Sequence, residues 1–142
     1  MEGTRRADDM IRQTFDMDAV NQVLTHPDIW KDIAPAGQIP FDAPYLPYVQ
    51  YFLVNDDDGV IMFHQFRDGL KIHPNFLPSK RGRLAYIAVE ESIQCMFNAG
   101  HQCIYAEIDP KLRHVVMFAR QLGFRLLESG DRDLFIRRNL DS

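Results

Sequence analysis

The chain has 142 residues, of which 46% are hydrophobic and 25% charged, and its formal net charge is −4. That is enough for one ordinary globular core and too little for two. It argues against a general nucleic-acid binder, which would carry a cationic excess, and no apolar run reaches the length of a bilayer span.

Residues 1–9 are polar and read as a flexible extension, with 10–142 as a single domain. No secretory signal is visible, and Cys95 and Cys103 make no disulfide framework. Both are read as reduced, buried thiols of a cytoplasmic-type protein.

Met10 to Phe15 suits a first strand. Asp16 or Asp18 then starts a helix, with Val20, Val23 and Leu24 at helical spacing and Pro27 interrupting it. Ile29, Trp30 and Ile33 suggest a second short helix. Ala34 to Pro47 carries Pro35, Pro40, Pro44 and Pro47 and is expected to be a long loop, either functional or a rigid wrap over the core. Tyr48 to Val54 and Val60 to Phe66 are strands joined by the Asn55-to-Gly59 turn. The aspartates of that turn are read as solvated rather than calcium-binding, because no ligand pattern continues beyond Gly59. Asp68-Gly69 is a second turn leading into a central strand.

That strand introduces the stretch with most local character, Leu70 to Gly100. A strand gives way to the basic turn Ser79-Lys80-Arg81-Gly82-Arg83, and a long amphipathic helix follows. Ala85, Ala88, Val89, Ser92, Ile93 and Met96 make one small-to-apolar stripe, with Arg83, Glu90, Gln94 and Asn98 opposite. Gly100 suits a left-handed C-cap. A helix N-terminus flanked by cations favours an anion, and a phosphorylated guest is expected there. Cys103 to Ile108 is the next strand, ended by Asp109-Pro110. Leu112, Val115, Val116, Ala119 and Leu122 mark one face of a further helix, capped by Gly123. Phe124 to Leu127 and Leu134 to Arg138 form a terminal hairpin. The order implies an α/β chain of the α+β type, with a mixed, mostly antiparallel sheet of about six to seven strands and helices on both faces.

No Walker or Rossmann glycine motif and no Gly-x-Ser-x-Gly is present. The histidines at 26, 64, 73, 101 and 114 show no paired spacing that argues for a metal. What remains is element order and two signatures, P-S-K-R-G-R-L-A from Pro78 and D-P-K-L-R-H-V-V-M-F-A-R-Q-L-G-F from Asp109 to Phe124. Together they resemble the GNAT family, the N-acetyltransferases that use acetyl-CoA, across residues 10–138.

The resemblance implies that the turn, typically Arg/Gln-x-x-Gly-x-Gly/Ala in the family, wraps the CoA pyrophosphate with backbone N–H groups. Phe76, Leu77, Lys80, Arg81, Gly82, Arg83, Leu84 and Ala85 become the cofactor-binding positions, with the Phe76 or Leu77 N–H donating to the thioester oxygen. The departures are specific. Leu84 and Tyr86 stand where the family has glycine and Gly/Ala, Leu112 where it has asparagine, and Ala119 where many members carry a tyrosine acid. For the base, His73 on the central strand and Glu107 on the next are the candidates, and Tyr105 is the nearest candidate acid.

Two readings follow. One is an acetyl-CoA-dependent N-acyltransferase acting on a primary amine. The other is a catalytically degenerate GNAT-shaped protein that docks a protein partner through the proline-rich loop and Tyr45 and Tyr48. The Arg-Gly-x-x-Ala form is similar to a divergent GNAT branch of phage and prophage genomes, some of it tied to head assembly.

Overall fold

The structure is a computed structural model, and it describes residues 10–29, 49–55 and 57–140. A short first strand, β1 (Ile11–Thr14), runs into helix α1 (Met17–Leu24). Asp16 is the N-cap of α1, its carboxylate accepting the Ala19 N–H at 3.2 Å. Three strands then meander: β2 (Val49–Val54), β3 (Gly59–Phe66) and β4 (Gly69–Phe76). A 3-10 turn at Pro78–Lys80 leads into α2 (Arg83–Asn98), followed by β5 (Cys103–Ile108), α3 (Arg113–Gln121), β6 (Arg125–Glu128) and β7 (Asp133–Arg138).

The seven strands form one sheet in the order β1-β2-β3-β4-β5-β7-β6. Every neighbouring pair is antiparallel except β4 and β5. A parallel pair needs a crossover, and α2 supplies it. β4 and β5 share a register only at Leu70–Ile104 and Lys71–Tyr105. Both strands continue, to Phe76 and to Ile108, without pairing to each other. The sheet therefore opens into a V beside the C-terminal half of β4.

Period-two alternation sets which helix covers which face. Phe52, Ile61, Phe63, Ile72, Ile104 and Phe135 point to one side and pack with Ala85, Ala88 and Ile93 of α2 and Ala119 of α3. The small stripe expected for α2 is buried there, and Ala88 is fully inaccessible. Tyr51, Leu53 and Val60 point to the other side and pack with Val20 and Val23 of α1. Helices lie on both faces, as the element order implied. Gly100 takes φ +104°, the left-handed conformation expected after α2.

One expectation is corrected. Cys95 is exposed on α2 and only Cys103 is buried. The expected helix through Trp30 and Ile33, the loop 34–47 with Tyr45, Tyr48 and the extension 1–9 lie outside the described residues. Among the described residues no helix is long and apolar enough to cross a membrane.

Candidate functional site

The N-terminus of α2 opens onto the V. Its N-cap is Gly82, at φ +96° and ψ −132°, a conformation that L side chains rarely adopt. No side chain caps the helix, and its first internal bond is Tyr86 N–H to the Gly82 carbonyl at 2.9 Å. The N–H groups of the first turn are thus left without helical acceptors, which gives the helix mouth its preference for anions. A cavity of about 640 Å³ lies in front of it. β4 contributes Pro74, Asn75 and Phe76 to its wall, and the turn and α2 contribute Arg81, Gly82 and Ala85. Leu112, His114, Val115 and Phe118 close it from the side of α3.

The residues that break the family's turn pattern do not block this mouth. Leu84 packs against the core on the sheet side of α2. The Tyr86 hydroxyl donates to the Gln121 carbonyl at 3.1 Å, and its ring packs edge-on against Phe118 at 6.1 Å. Neither lines the cavity. Arg81 turns back along β4 and donates to the Phe76 carbonyl at 3.3 Å while it lines the cavity. Lys80 is half-buried and Arg83 exposed beside them.

The backbone of β4 decides between the two expected amide donors. Leu77 N–H is spent on the Asp58 carbonyl at 3.0 Å, so it faces β3. Strand alternation then turns the N–H groups of odd residues toward β3 and those of even residues toward β5. Leu77 is therefore removed as a candidate, and the Phe76 N–H faces the gap. Pro74 has the same parity. Its missing N–H costs no ladder bond, which explains how a proline sits inside a strand that pairs with β3 along its whole length.

The base and acid candidates lie on the opposite face of the sheet from α2. His73 is half-buried, and its Nε2 lies 2.8 Å from Nε2 of His64 on β3. Burial, then the charges of His64 and Lys71, lower its pKa to about 4, with Glu107 opposing. Glu107 is exposed and meets Lys71 at 3.4 Å and Arg132 at 3.7 Å. Tyr105 pairs with Lys71 at the closed end of the V, and its hydroxyl donates to Asp68. Burial and that bond push its pKa up. The structure thus groups His73 and Glu107 near the gap and ties Tyr105 to the β3–β4 turn. Ala119 is buried in the core, so no hydroxyl occupies that position.

Sequence reasoning passed over Asn75 and His114, both in the cavity wall. Asn75 sits between Pro74 and Phe76, and the proline was a usable signal. A proline within a strand marks a backbone position without a ladder partner. His114 had no such signal, since it reaches the cavity only through the docking of α3. Leu112, expected on the buried face of α3, is 44% exposed because it forms the cavity rim instead.

This architecture, a mixed sheet splayed beside the entrance of a crossover helix, is the GNAT acetyltransferase fold. No family model and no curated protein sequence matches the chain. Among solved structures it is similar to a ribosomal-protein-S5-alanine acetyltransferase from Vibrio fischeri, with a TM-score of 0.69 and 16% identity over 92% of this chain and 93% of that one. It is similar to a probable GNAT-family acetyltransferase from Chromobacterium violaceum, with a TM-score of 0.68 and 17% identity over 93% and 89%. The N-acetyltransferase PseH of Campylobacter jejuni, solved in complex with acetyl coenzyme A, matches with a TM-score of 0.58 and 18% identity over 66% and 70%.

Proposed function

We propose that the chain is an acetyl-CoA-dependent N-acyltransferase that acetylates a primary amine by direct transfer within a ternary complex. The observation that carries this reading is the unblocked cavity between the splayed end of β4 and the uncapped N-terminus of α2. The fold neighbours that are acetyltransferases, one holding acetyl coenzyme A, support it. The donor set fits the group. The first-turn N–H groups of α2, with Lys80, Arg81 and Arg83, would hold the diphosphate, and apolar Phe118 and Val115 would flank the pantetheine arm.

When bound, acetyl-CoA supplies an activated acyl group. The Phe76 N–H donates to the carbonyl oxygen on which negative charge grows. His73, neutral near pH 7, takes the proton that the acceptor nitrogen gives up, and Glu107 offers the acceptor ammonium a carboxylate. The Arg81 bond holds the Phe76 carbonyl on the gap side of β4, the side to which the Phe76 N–H also points. Among the described residues no hydroxyl lines the cavity. The neighbours include a spermidine and an S5-alanine acetyltransferase, which makes a polyamine and an alanyl N-terminus the first acceptors to try. The assembly-factor reading has no observation of its own in its favour.

The test is a thermal-shift titration with acetyl-CoA, followed by thiol release with those acceptors. Ligand at a hundredfold over Kd should stabilise the chain by about 2.7 kcal/mol. Arg81→Ala should weaken binding about tenfold, through loss of a charge-assisted contact and of its hold on Phe76. No shift at millimolar acetyl-CoA would remove the cofactor and the reading together.

A further inference from the structure

We propose that His64 is a positioning residue for His73, fixing Nδ1 of His73 as its proton-accepting atom; this rests on the acetyl-transfer reading above. The two histidines sit on adjacent strands of the face opposite α2. His64 is in register with Lys71 and His73 with Met62, so they are diagonal neighbours. Their ring centroids are 4.8 Å apart and the planes 17° from parallel, so with the two Nε2 atoms 2.8 Å apart the rings meet edge to edge.

The hydrogen bonds assign the protons one after another. Nδ1 of His64 lies 2.9 Å from the Gln65 carbonyl oxygen. A carbonyl only accepts, so Nδ1 of His64 carries hydrogen and, in the neutral ring, Nε2 holds the lone pair. That Nε2 is 2.8 Å from Nε2 of His73. Two lone pairs do not meet at that distance, so His73 donates from Nε2. Its own lone pair is then on Nδ1. A histidine without this partner would divide between two tautomers, and only one of them presents a base at a given atom.

The pairing also determines what happens to the charge. When Nδ1 of His73 gains a proton, the Nε2–H is already directed at an acceptor, so the positive charge is shared with His64. The charged groups that face His73 are His64 from β3, Lys71 from its own strand, Glu107 from β5 and Arg132 from the β6–β7 turn. His64, when charged, Lys71 and Arg132 oppose a charge that stays on His73, and of these groups Glu107 alone favours it. Sharing spreads the charge over two rings, and the proton returns to water after product leaves. A Gln side chain at 64 could accept the same hydrogen through Oε1, whereas Leu could not.

The test uses the full chain labelled with ¹⁵N-histidine, with tautomers read by long-range proton–nitrogen NMR at pH 7.5. In the wild type, His73 should be the Nε2–H tautomer and His64 the Nδ1–H tautomer. His64→Leu should leave His73 a mixture, and His64→Gln should restore the Nε2–H form. With acetyl-CoA and either spermidine or an alanyl peptide as acceptor, kcat should fall at least about tenfold in His64→Leu and recover in His64→Gln. KM for acetyl-CoA should not change. A wild-type His73 protonated at Nδ1, or a His73 tautomer unaffected by His64→Leu, would overturn the proposal. The thermal shift with acetyl-CoA judges the acetyl-transfer reading separately, because the tautomer measurement needs no ligand.

Discussion

Burial at single side chains gives this protein a pH dependence that can be traced to one group. His73 in the folded chain binds its proton only near pH 4, chiefly because burial disfavours the imidazolium. An unfolded histidine binds one near pH 6.5, so between the two values the unfolded state carries more protons. Stability is then fully present above about pH 6.5 and lost as pH falls toward about 4, by an amount on the order of 3 kcal/mol. Urea unfolding of the wild type across that window should show the fall, and His73→Gln should flatten it. An equal slope in both would place the titration elsewhere. The same residue illustrates the limit of reading sites from sequence. His73 could be singled out from its strand and its intrinsic pKa, but His64 could not, because their contact is made by cross-strand register. Tyr105 was the nearest candidate acid by sequence, yet its bond to Asp68 of the β3–β4 turn forms only when β5 docks beside β4.

Helices were more legible than strand contacts, for a physical reason. The stripe of α2 repeats within the helix itself, so Ala85, Ala88 and Ile93 could be assigned to the core without knowing what they touch. Cys95 was misassigned because its residue type was weighed and its place was not. It lies four residues from Glu91 and three from Asn98, on the arc that faces away from the sheet. The V was implied only by the family resemblance, since parallel pairing that stops after a few residues leaves no local pattern. Its closed end is set by Gly69. A Cβ there would lie 2.2 Å from the Cys103 carbonyl oxygen and 2.7 Å from its Sγ. Backbone is the closer obstacle, so a side chain must push β4 and β5 apart where they pair. Gly69→Ala is expected to cost about 2–4 kcal/mol in denaturant unfolding, at the upper end for overpacking because the obstacle cannot rotate away. A loss below about 0.5 kcal/mol would mean that the strands have slack at the point where the V depends on contact.

At the scale of the whole molecule, the gap divides the sheet into a leaf of β1 to β4 and a leaf of β5 to β7, joined by the Leu70–Ile104 and Lys71–Tyr105 pairs and by the crossover through α2. The chain carries a net charge of −4, yet Lys80, Arg81 and Arg83 gather at the mouth of that crossover. A ligand held there touches both leaves and the helix, so its binding should be visible in the backbone of β4 rather than only in overall melting. Parity makes the expectation specific. Asn75 and Leu77 direct their N–H groups to β3, and Leu77 is bonded to the Asp58 carbonyl. Phe76 directs its N–H into the gap, where Ile108 and its neighbours on β5 are out of pairing range. Without ligand, the Phe76 amide should exchange with deuterium at least about tenfold faster than those of Asn75 and Leu77, despite lying between them. Saturating acetyl-CoA should slow Phe76 toward its neighbours, because the thioester oxygen becomes its acceptor. Coenzyme A without the acetyl group should protect it less, since the oxygen is then missing. Equal protection by the two ligands would show that Phe76 is merely covered, and a ligand-insensitive Phe76 amide would remove it as the donor for acyl transfer.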